Sequence, residues 1–297
     1  MTRMLLILLA AILVLSACSS RDDRLALGII RPSLNHLPVQ VALRQSFLSA
    51  DDVDIRPLAT GWETGEALAA GRLDMAVMPF TYAWRSAAAG MDVRIVSFLE
   101  RESNGLLARP GLDSLPALDG ARVGVLRAST LELLAAMAAT DLGLRLEPVP
   151  LRSPGEMLVA LRSGEVDAVS YYVPPILVEG REPLLWYGSL YPMHPCCDIA
   201  AHTVALDEKR AQVERVLDAI EQAVDWMSEH PAETAAIAAE VYGLEPQMAA
   251  EALRHVHYRT GLDAAGMTFE RRAVEMLLAQ DEIERIDGFE IYHAPGR

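Results

Sequence analysis

The stretch Ala67-Leu68-Ala69-Ala70-Gly71-Arg72-Leu73-Asp74 occurs a second time, in altered form, as Ala160-Leu161-Arg162-Ser163-Gly164-Glu165-Val166-Asp167. In each copy a helical pattern ends at a glycine, the residue that adopts the left-handed conformation of a helix end at least cost. A short apolar run follows each copy, over residues 75–78 in the first and 168–171 in the second. The repeat predicts two similar α/β units in one chain.

Further segments upstream of the repeat recur in the same order. An apolar run at 25–31, a turn and a helical pattern at 37–48 are matched by an apolar run at 123–127, a turn and a helical pattern at 131–142. Continuous apolar strands that alternate with helices are typical of mostly parallel sheets covered on both faces. We therefore predict the α/β class, with two Rossmann-like lobes joined by a two-strand hinge.

The order of the segments also predicts the domain boundaries. We expect lobe one to comprise residues 25–105 and 204–297, and lobe two to comprise residues 106–203, with chain crossings at 103–105 and 201–204. After residue 207 the pattern becomes helical, and it is too long for the second lobe alone. We place these C-terminal helices on lobe one, including a helix over 246–257.

The N-terminal residues have the pattern of an export signal. Arg3 precedes an apolar run at 5–15, and Leu15-Ser16-Ala17-Cys18 resembles the lipobox of bacterial lipoproteins. This pattern predicts a signal peptide at 1–17, acylation of Cys18, and a lipidated tether at 18–24. The protein would then lie outside the cytoplasm, in the periplasm or on the outer cell surface, attached to a lipid bilayer. An ordinary secretory signal that happens to precede a cysteine is the alternative.

Composition excludes some partners and some chemistry. The 297 residues carry a formal net charge of −15, which argues against nucleic acid and against an anionic lipid surface as ligands. Lys209 is the only lysine, so chemistry that needs a lysine Schiff base has a single candidate. Beyond Cys18 the chain has only Cys196 and Cys197, which excludes a disulfide framework.

The order and spacing of several motifs resemble one known family. The motifs are the Asn35-His36-Leu37-Pro38 turn, the repeated segment, and Leu118-Asp119-Gly120-Ala121-Arg122-Val123-Gly124-Val125. They look like the type II periplasmic solute-binding proteins of ABC importers, in the branch that serves nitrate, sulfonates, taurine and pyrimidine precursors of thiamine. The resemblance implies a monomer that delivers a small ligand to an importer permease in the inner membrane, without catalytic residues, metal or cofactor.

In open α/β sheets, ligands bind beyond the carboxyl ends of the strands, where helices begin. The residues that we predict to bind ligand occupy such positions: Arg31, Asn35, His36, Trp62, Thr81, Tyr82, Asn104, Arg127, Ser129, Thr130 and Tyr172. Paired arginines favour a small anion, whereas the aromatic residues favour a planar heteroaromatic ligand. Helix capping, solvated arginines and ordinary aromatic packing are the structural alternatives.

The segment His194-Pro195-Cys196-Cys197-Asp198 contains soft metal ligands, but adjacent cysteines are badly spaced for a tetrahedral site. We expect buried thiols or a strained disulfide between neighbours, close to the second crossing. The resemblance also implies two alternatives. One is an enzyme on the same fold, of the pyrimidine-precursor or menaquinone-pathway type, and the other is a metal-sensing or redox-sensing lipoprotein that uses the cysteine pair.

Overall fold

The computed structural model of this chain describes residues 24–31 and 33–294. The predicted signal peptide, the acylation site at Cys18 and most of the tether lie outside the described residues. Within the described ranges, no helix is both long enough and apolar enough to cross a membrane.

Strands alternate with helices within each repeated unit, over residues 25–88 and 122–178, as the repeat predicts. The strands are β1 (Leu25–Ile30), β2 (Val53–Leu58), β3 (Met75–Pro79), β4 (Val93–Glu102), β5 (Asn104–Ala108), β6 (Arg122–Leu126), β7 (Glu147–Leu151), β8 (Ala168–Tyr172), β9 (Leu185–Trp186), β10 (Pro195–His202) and β11 (Val256–Tyr258). The helices are α1 (Leu37–Arg44), α2 (Gly61–Ala69), α3 (Phe80–Ala88), α4 (Thr130–Leu142), α5 (Pro154–Ser163), α6 (Pro175–Val178), α7 (Thr203–Glu208), α8 (Arg210–Glu229), α9 (Pro231–Tyr242), α10 (Pro246–Leu253) and α11 (Ala264–Ala279).

The strands form two sheets, one in each lobe. The six-stranded sheet of lobe one has the order β11-β4-β10-β3-β1-β2, and the five-stranded sheet of lobe two has the order β7-β6-β8-β5-β9. In each sheet the repeated βαβ units pair in parallel, β1 with β2 and β3, and β6 with β7 and β8. Strands β5, β9, β10 and β11 pair in the antiparallel sense. The predicted two-lobed α/β architecture is confirmed, with mixed sheets.

Local sequence explains why the repeated helices begin and end where they do. Ser129 caps α4 by accepting from the N–H of Glu132, and Ser153 caps α5 in the same way. Gly164 ends α5 in the left-handed region, at a φ of 77°. These caps satisfy backbone groups that a helix leaves unpaired at its ends. As a result, α4 and α5 begin directly beyond the carboxyl ends of β6 and β7.

The connections between the lobes differ in part from the prediction. Strand β4 passes into β5 through Ser103 alone, and both Glu102 and Ser103 have positive φ values, 62° and 71°. This is the first predicted crossing. The return differs, because β10 lies between β3 and β4 in the sheet of lobe one. The chain therefore returns before Pro195 rather than at 201–204, and this corrects the boundary predicted at residue 203.

The C-terminal helices also depart from the prediction in two respects. Helices α8 and α9 pack on α1 of lobe one, as expected, but α11 packs against α4 of lobe two as well as α3 of lobe one. Arg272 of α11 donates to both carboxylate oxygens of Asp141 in α4, at 2.9 Å. The helix predicted over 246–257 ends at Leu253, because the following Val256–Tyr258 pairs with the end of β4.

Candidate functional site

A cavity of about 730 Å³ lies between the two lobes. It is lined by the last residues of four strands: Ile30 of β1, Pro79 of β3, Leu126 of β6 and Leu151 of β7. The carboxyl ends of these strands therefore meet at the cleft, as the rule for open α/β sheets predicts. The volume is within the range of small-molecule sites in proteins.

The innermost part of the cavity is polar and buried. We call it the floor and define it by six lining residues that are each at most 5% exposed: Asn35, Glu100, Ser103, Asn104, Cys196 and Cys197. Asn35 Nδ2 donates to Cys197 Sγ at 3.3 Å. Within the part of the chain that the structure describes, Ser103 Oγ and Asn104 Oδ1 have no hydrogen-bond partner. The floor thus offers polar atoms that the protein itself does not satisfy.

The outer part of the cavity is aromatic and more exposed. Trp62 is 52% exposed, and its ring meets Tyr82 edge-on with a centroid distance of 6.3 Å. Tyr172 lines the opposite side, and its backbone pairs with that of Asn104. Flat aromatic surfaces in this arrangement suit the face or edge of a planar ligand.

The lobes touch each other at two points of the cleft. Tyr82 Oη of lobe one donates to the carbonyl oxygen of Arg127 at 3.3 Å. Thr130 Oγ1 of lobe two donates to the carbonyl oxygen of Cys196 at 3.2 Å. These two hydrogen bonds would break if the lobes rotated apart, so the structure represents a state in which the cleft is at least partly closed.

Glu100 is the acidic group of the floor. Burial raises the pKa of Glu100 to about 7, and the hydroxyl of Ser103 and the thiols of Cys197 and Cys196 lower it in part. Among residues 24–31 and 33–294, no basic side chain forms an ion pair with Glu100. The carboxyl group is therefore poised to change its charge near neutral pH.

The two thiols lie in the floor because strand β10 is irregular there. Its register against β4 shifts between Pro195 and Cys197 and again between Cys197 and Asp198. Such bulges interrupt the alternation of side chains, so that neighbouring residues can line the same cavity. Burial, together with the adjacent Cys196, raises the pKa of Cys197 well above its usual value. A thiol that stays protonated is a poor nucleophile.

The floor also contains a set of side chains that could hold a metal ion. A carboxylate oxygen of Glu100 and the sulfur atoms of Cys196 and Cys197 all lie within 4.8 Å of one another. Two thiols and one carboxylate are a donor set that suits a soft metal better than magnesium or calcium. The expectation of no metal stays a prediction.

Arg85, Arg127 and Arg152 line the cleft, and the first two are engaged with one acidic residue at its mouth. Arg85 donates to Glu282 at 2.8 Å, and Arg127 lies 3.8 Å from the same carboxylate. The Arg127 side chain is 72% exposed. The two arginines therefore form no converging pair around an anion in the floor.

The structure brings most of the predicted ligand-binding residues to the cavity. Eight of them line it: Asn35, Trp62, Tyr82, Asn104, Arg127, Ser129, Thr130 and Tyr172. Three do not. His36 is buried against the ring of Tyr242, and burial lowers its pKa to about 3. Thr81 is fully buried in the first turn of α3, and Arg31 is exposed beyond the end of β1.

Four members of the floor are absent from the predicted ligand-binding residues: Glu100, Ser103, Cys196 and Cys197. The sequence analysis predicts Ser103 only as part of the first crossing, and Cys196 and Cys197 as structural residues near the second crossing. A signal for Glu100 is present in the sequence, because it is a charged residue at the end of an apolar strand pattern and three residues before Ser103. The cysteines could not be placed, since the bulges that turn both toward the cavity depend on pairing with a distant strand.

A match to one protein family covers most of this chain. Residues 33–234 match the family described as NMT1/THI5 like. The chain belongs to this family. A curated relative, the putative binding protein BAB2_1146 of Brucella abortus (strain 2308), is 26% identical over 200 residues, which cover 63% of this chain and 61% of the relative. The match thus spans less than two thirds of the relative's length.

Solved structures show the same fold. The periplasmic aliphatic sulphonate-binding protein SsuA of Escherichia coli has a TM-score of 0.75 and 18% identity, covering 89% of this chain and 94% of SsuA. The periplasmic nitrate-binding protein NrtA of Synechocystis PCC 6803 has a TM-score of 0.63 and 16% identity, covering 76% of this chain and 68% of NrtA. The fold is that of the type II periplasmic binding proteins, as the motifs implied.

Proposed function

We propose that this protein is a solute-binding protein, which captures one small molecule between its lobes and delivers it to an ABC importer. The observation that carries the proposal is the cavity itself. Both lobes line it, and Ser103 and Asn104 in its floor present buried polar atoms without partners. Buried polar atoms are costly unless they are hydrogen-bonded, so a ligand that satisfies them gains affinity. Membership of a family whose relatives include a putative binding protein supports the proposal.

Tryptophan fluorescence tests this proposal, because Trp62 lies at the mouth of the cleft and Trp84 is fully buried. The full chain, purified in detergent, is screened by thermal shift against sulfonates, nitrate, pyrimidines, amino acids and amidines. A solute that raises the melting temperature is expected to shift the emission, and Trp62→Phe is expected to remove that shift without abolishing the thermal stabilisation. A protein that none of these solutes stabilises would contradict the proposal.

The location of the protein is the second part of the proposal. Acylation of Cys18 would hold it outside the cytoplasm, on the membrane that contains the importer, because two acyl chains anchor a protein stably. Mass spectrometry of membrane-extracted protein is expected to find a diacylated N-terminus at Cys18. Cys18→Ala is expected to release a folded protein from the membrane, and a soluble wild-type protein after export would contradict the anchor.

One observation bears on the alternative of an enzyme that binds its cofactor through lysine. Lys209, the only lysine, does not line the cavity. Its ammonium group donates to Asp74 at 2.7 Å, between β3 and the start of α8. This position favours solute binding over Schiff-base chemistry in the cleft. A sensor function would rest on the cysteine pair. Elemental analysis of the purified protein for iron, zinc and copper tests that alternative.

A further inference from the structure

The cleft has opposite charges at its two ends. Arg85 and Arg127 lie at the mouth, where Glu282 accompanies both of them. The floor contains Glu100, which is 4% exposed and has no basic partner within the described ranges. A ligand that reaches the floor therefore contacts an acidic group there. The ionised carboxylate would repel an anion in this position.

Hydrogen-bonding capacity in the floor points the same way. Asn104 Oδ1 is buried, lacks a partner and can only accept. The Glu100 carboxylate likewise accepts when it is ionised. The Asn35 side chain is already engaged, because its amide nitrogen donates to Cys197 and its oxygen meets the ring nitrogen of His36 at 3.0 Å. The Ser103 hydroxyl, which is also unsatisfied, can both accept and donate. Acceptors therefore outnumber donors in the floor when Glu100 is ionised, and they require donors from a ligand.

We propose that Glu100 is the specificity-determining residue of the cleft and that the solute presents N–H groups of a cationic or amino-substituted nitrogen function to it. This inference rests on the proposed function, because it assumes that a solute occupies the cavity. The aromatic residues at the mouth then contact the ring or chain that carries the nitrogen function. Arg127, whose side chain is largely exposed, remains available to a polar substituent at the outer end of the same solute.

The groups around Glu100 include weak hydrogen-bond donors but no positive charge. Strand β10 contributes the two thiols, and Tyr172 of β8, Tyr242 of α9 and Tyr258 of β11 contribute phenols. Burial raises the pKa of Tyr172 to about 12, so these phenols stay neutral at physiological pH.

The nearest basic side chains do not compensate Glu100 either. Arg101 directs its guanidinium to Asp263 at 2.6 Å, and the buried His36 is neutral at physiological pH. Among the six floor residues, Glu100 is the one with an acidic side chain, so the charge that a ligand meets in the floor is that of Glu100.

A pair of probes with the same ring and opposite charge tests the proposal. Benzamidine carries a cationic N–H-rich group and keeps its charge between pH 6 and pH 8, whereas benzenesulfonate carries an anion. We expect the full chain to bind benzamidine at least about tenfold more tightly than benzenesulfonate, because the floor offers an acidic group and hydrogen-bond acceptors. Calorimetry measures both affinities, and 4-aminopyrimidine serves as a neutral N–H donor.

Variants assign the effect to one carboxyl group. Glu100→Gln is expected to lower benzamidine affinity at pH 8 by about tenfold or more. The matched control is Glu66→Gln, which removes the same charge from an exposed position on α2 outside the cavity, and it is expected to bind as the wild type does. Thermal unfolding of both variants confirms that they are folded.

The outcomes separate this proposal from solute binding in general. Benzenesulfonate that binds more tightly than benzamidine, or an unchanged benzamidine affinity in Glu100→Gln, would overturn the role of Glu100 and leave solute capture intact. Failure of both nitrogen probes to bind would overturn the ligand class, even where another solute in the thermal-shift screen stabilises the protein. Failure of every solute in that screen would instead overturn the proposed function.

Discussion

Two buried acidic groups near strand β10 have very different surroundings. In the core of lobe one, Glu270 accepts hydrogen bonds from Trp84 Nε1 and Tyr292 Oη, each at 2.9 Å, and lies next to Asp198. In the floor of the cleft, Glu100 has thiols and a serine hydroxyl as its nearest polar neighbours. The protein supplies strong donors to one carboxyl group and leaves the other without them. Both acids are buried, so burial does not distinguish them. The hydrogen-bond donors that the protein supplies do: a structural acid has strong donors, and an acid that binds a ligand lacks them.

The largest effect that we expect comes from removing the core acid. Glu270→Ala leaves the Trp84 and Tyr292 donors without an acceptor, and each unsatisfied buried group costs about 1–3 kcal/mol. We expect the free energy of unfolding to fall by about 3 kcal/mol in urea denaturation at pH 7.

Asp198→Asn is the comparison variant for the core pair. Burial and the neighbouring Glu270 raise the pKa of Asp198 well above its usual value, so this group is already neutral. Asp198→Asn should therefore change the free energy of unfolding by less than about 1 kcal/mol. A larger loss in Asp198→Asn than in Glu270→Ala would contradict this account of the pair.

The opposite sign is expected at the cleft floor. Burial raises the pKa of Glu100 to about 7 from its usual value of 4.5, so its ionisation favours the unfolded state as the pH rises between these two values. Glu100→Gln removes this penalty and should stabilise the ligand-free protein by roughly 2 kcal/mol at pH 7.5. The gain should vanish near pH 4, where the acid is protonated in both states. A variant less stable than the wild type at pH 7.5 would show that Glu100 is a structural acid like Glu270.

The contrast also shows how far sequence reasoning reaches. The repeated segments predict both lobes and the cleft, because helix caps and glycine ends are local features that need no knowledge of distant residues. Strand β10 could not be assigned to lobe one from its sequence, since Pro195–His202 pairs with β3 and β4, far away in the chain. The same pairing decides that Glu100 and the cysteines share one floor. The Trp84 bond to Glu270, across 186 positions of the chain, has no local signal either.

A smaller effect is expected from the cysteines, which line the floor but are neutral and protonated. The double variant Cys196→Ser, Cys197→Ser retains a polar atom beside Asn35, so the affinity for the solute should stay within a few-fold of the wild type. We expect a loss of stability of about 1 kcal/mol, because hydroxyl groups are less favourable than thiols in a buried site.

Elemental analysis of the same variant addresses the donor set of the floor. We expect the purified wild-type protein to contain no stoichiometric iron, zinc or copper. Stoichiometric metal that disappears in the double serine variant would contradict this expectation and would favour the metal-sensing or enzymatic alternative. Cys18→Ala serves as the control, since it removes a cysteine that lies outside the floor.

The smallest effect is expected at the arginines of the mouth. Arg127 is largely exposed and lies 3.8 Å from Glu282, and ion pairs in such exposed positions contribute little. Replacing Arg31 and Arg127 together by alanine should change the affinity for an N–H-donating ring compound by no more than about twofold, because water and dissolved salt screen exposed charges. Calorimetry of the double variant with benzamidine and with benzenesulfonate measures this. If a small anion is instead the natural solute, the double variant should lose it entirely while still binding a neutral aromatic compound. That result would show that the arginines at the mouth, rather than Glu100 in the floor, determine which ligand the cleft binds.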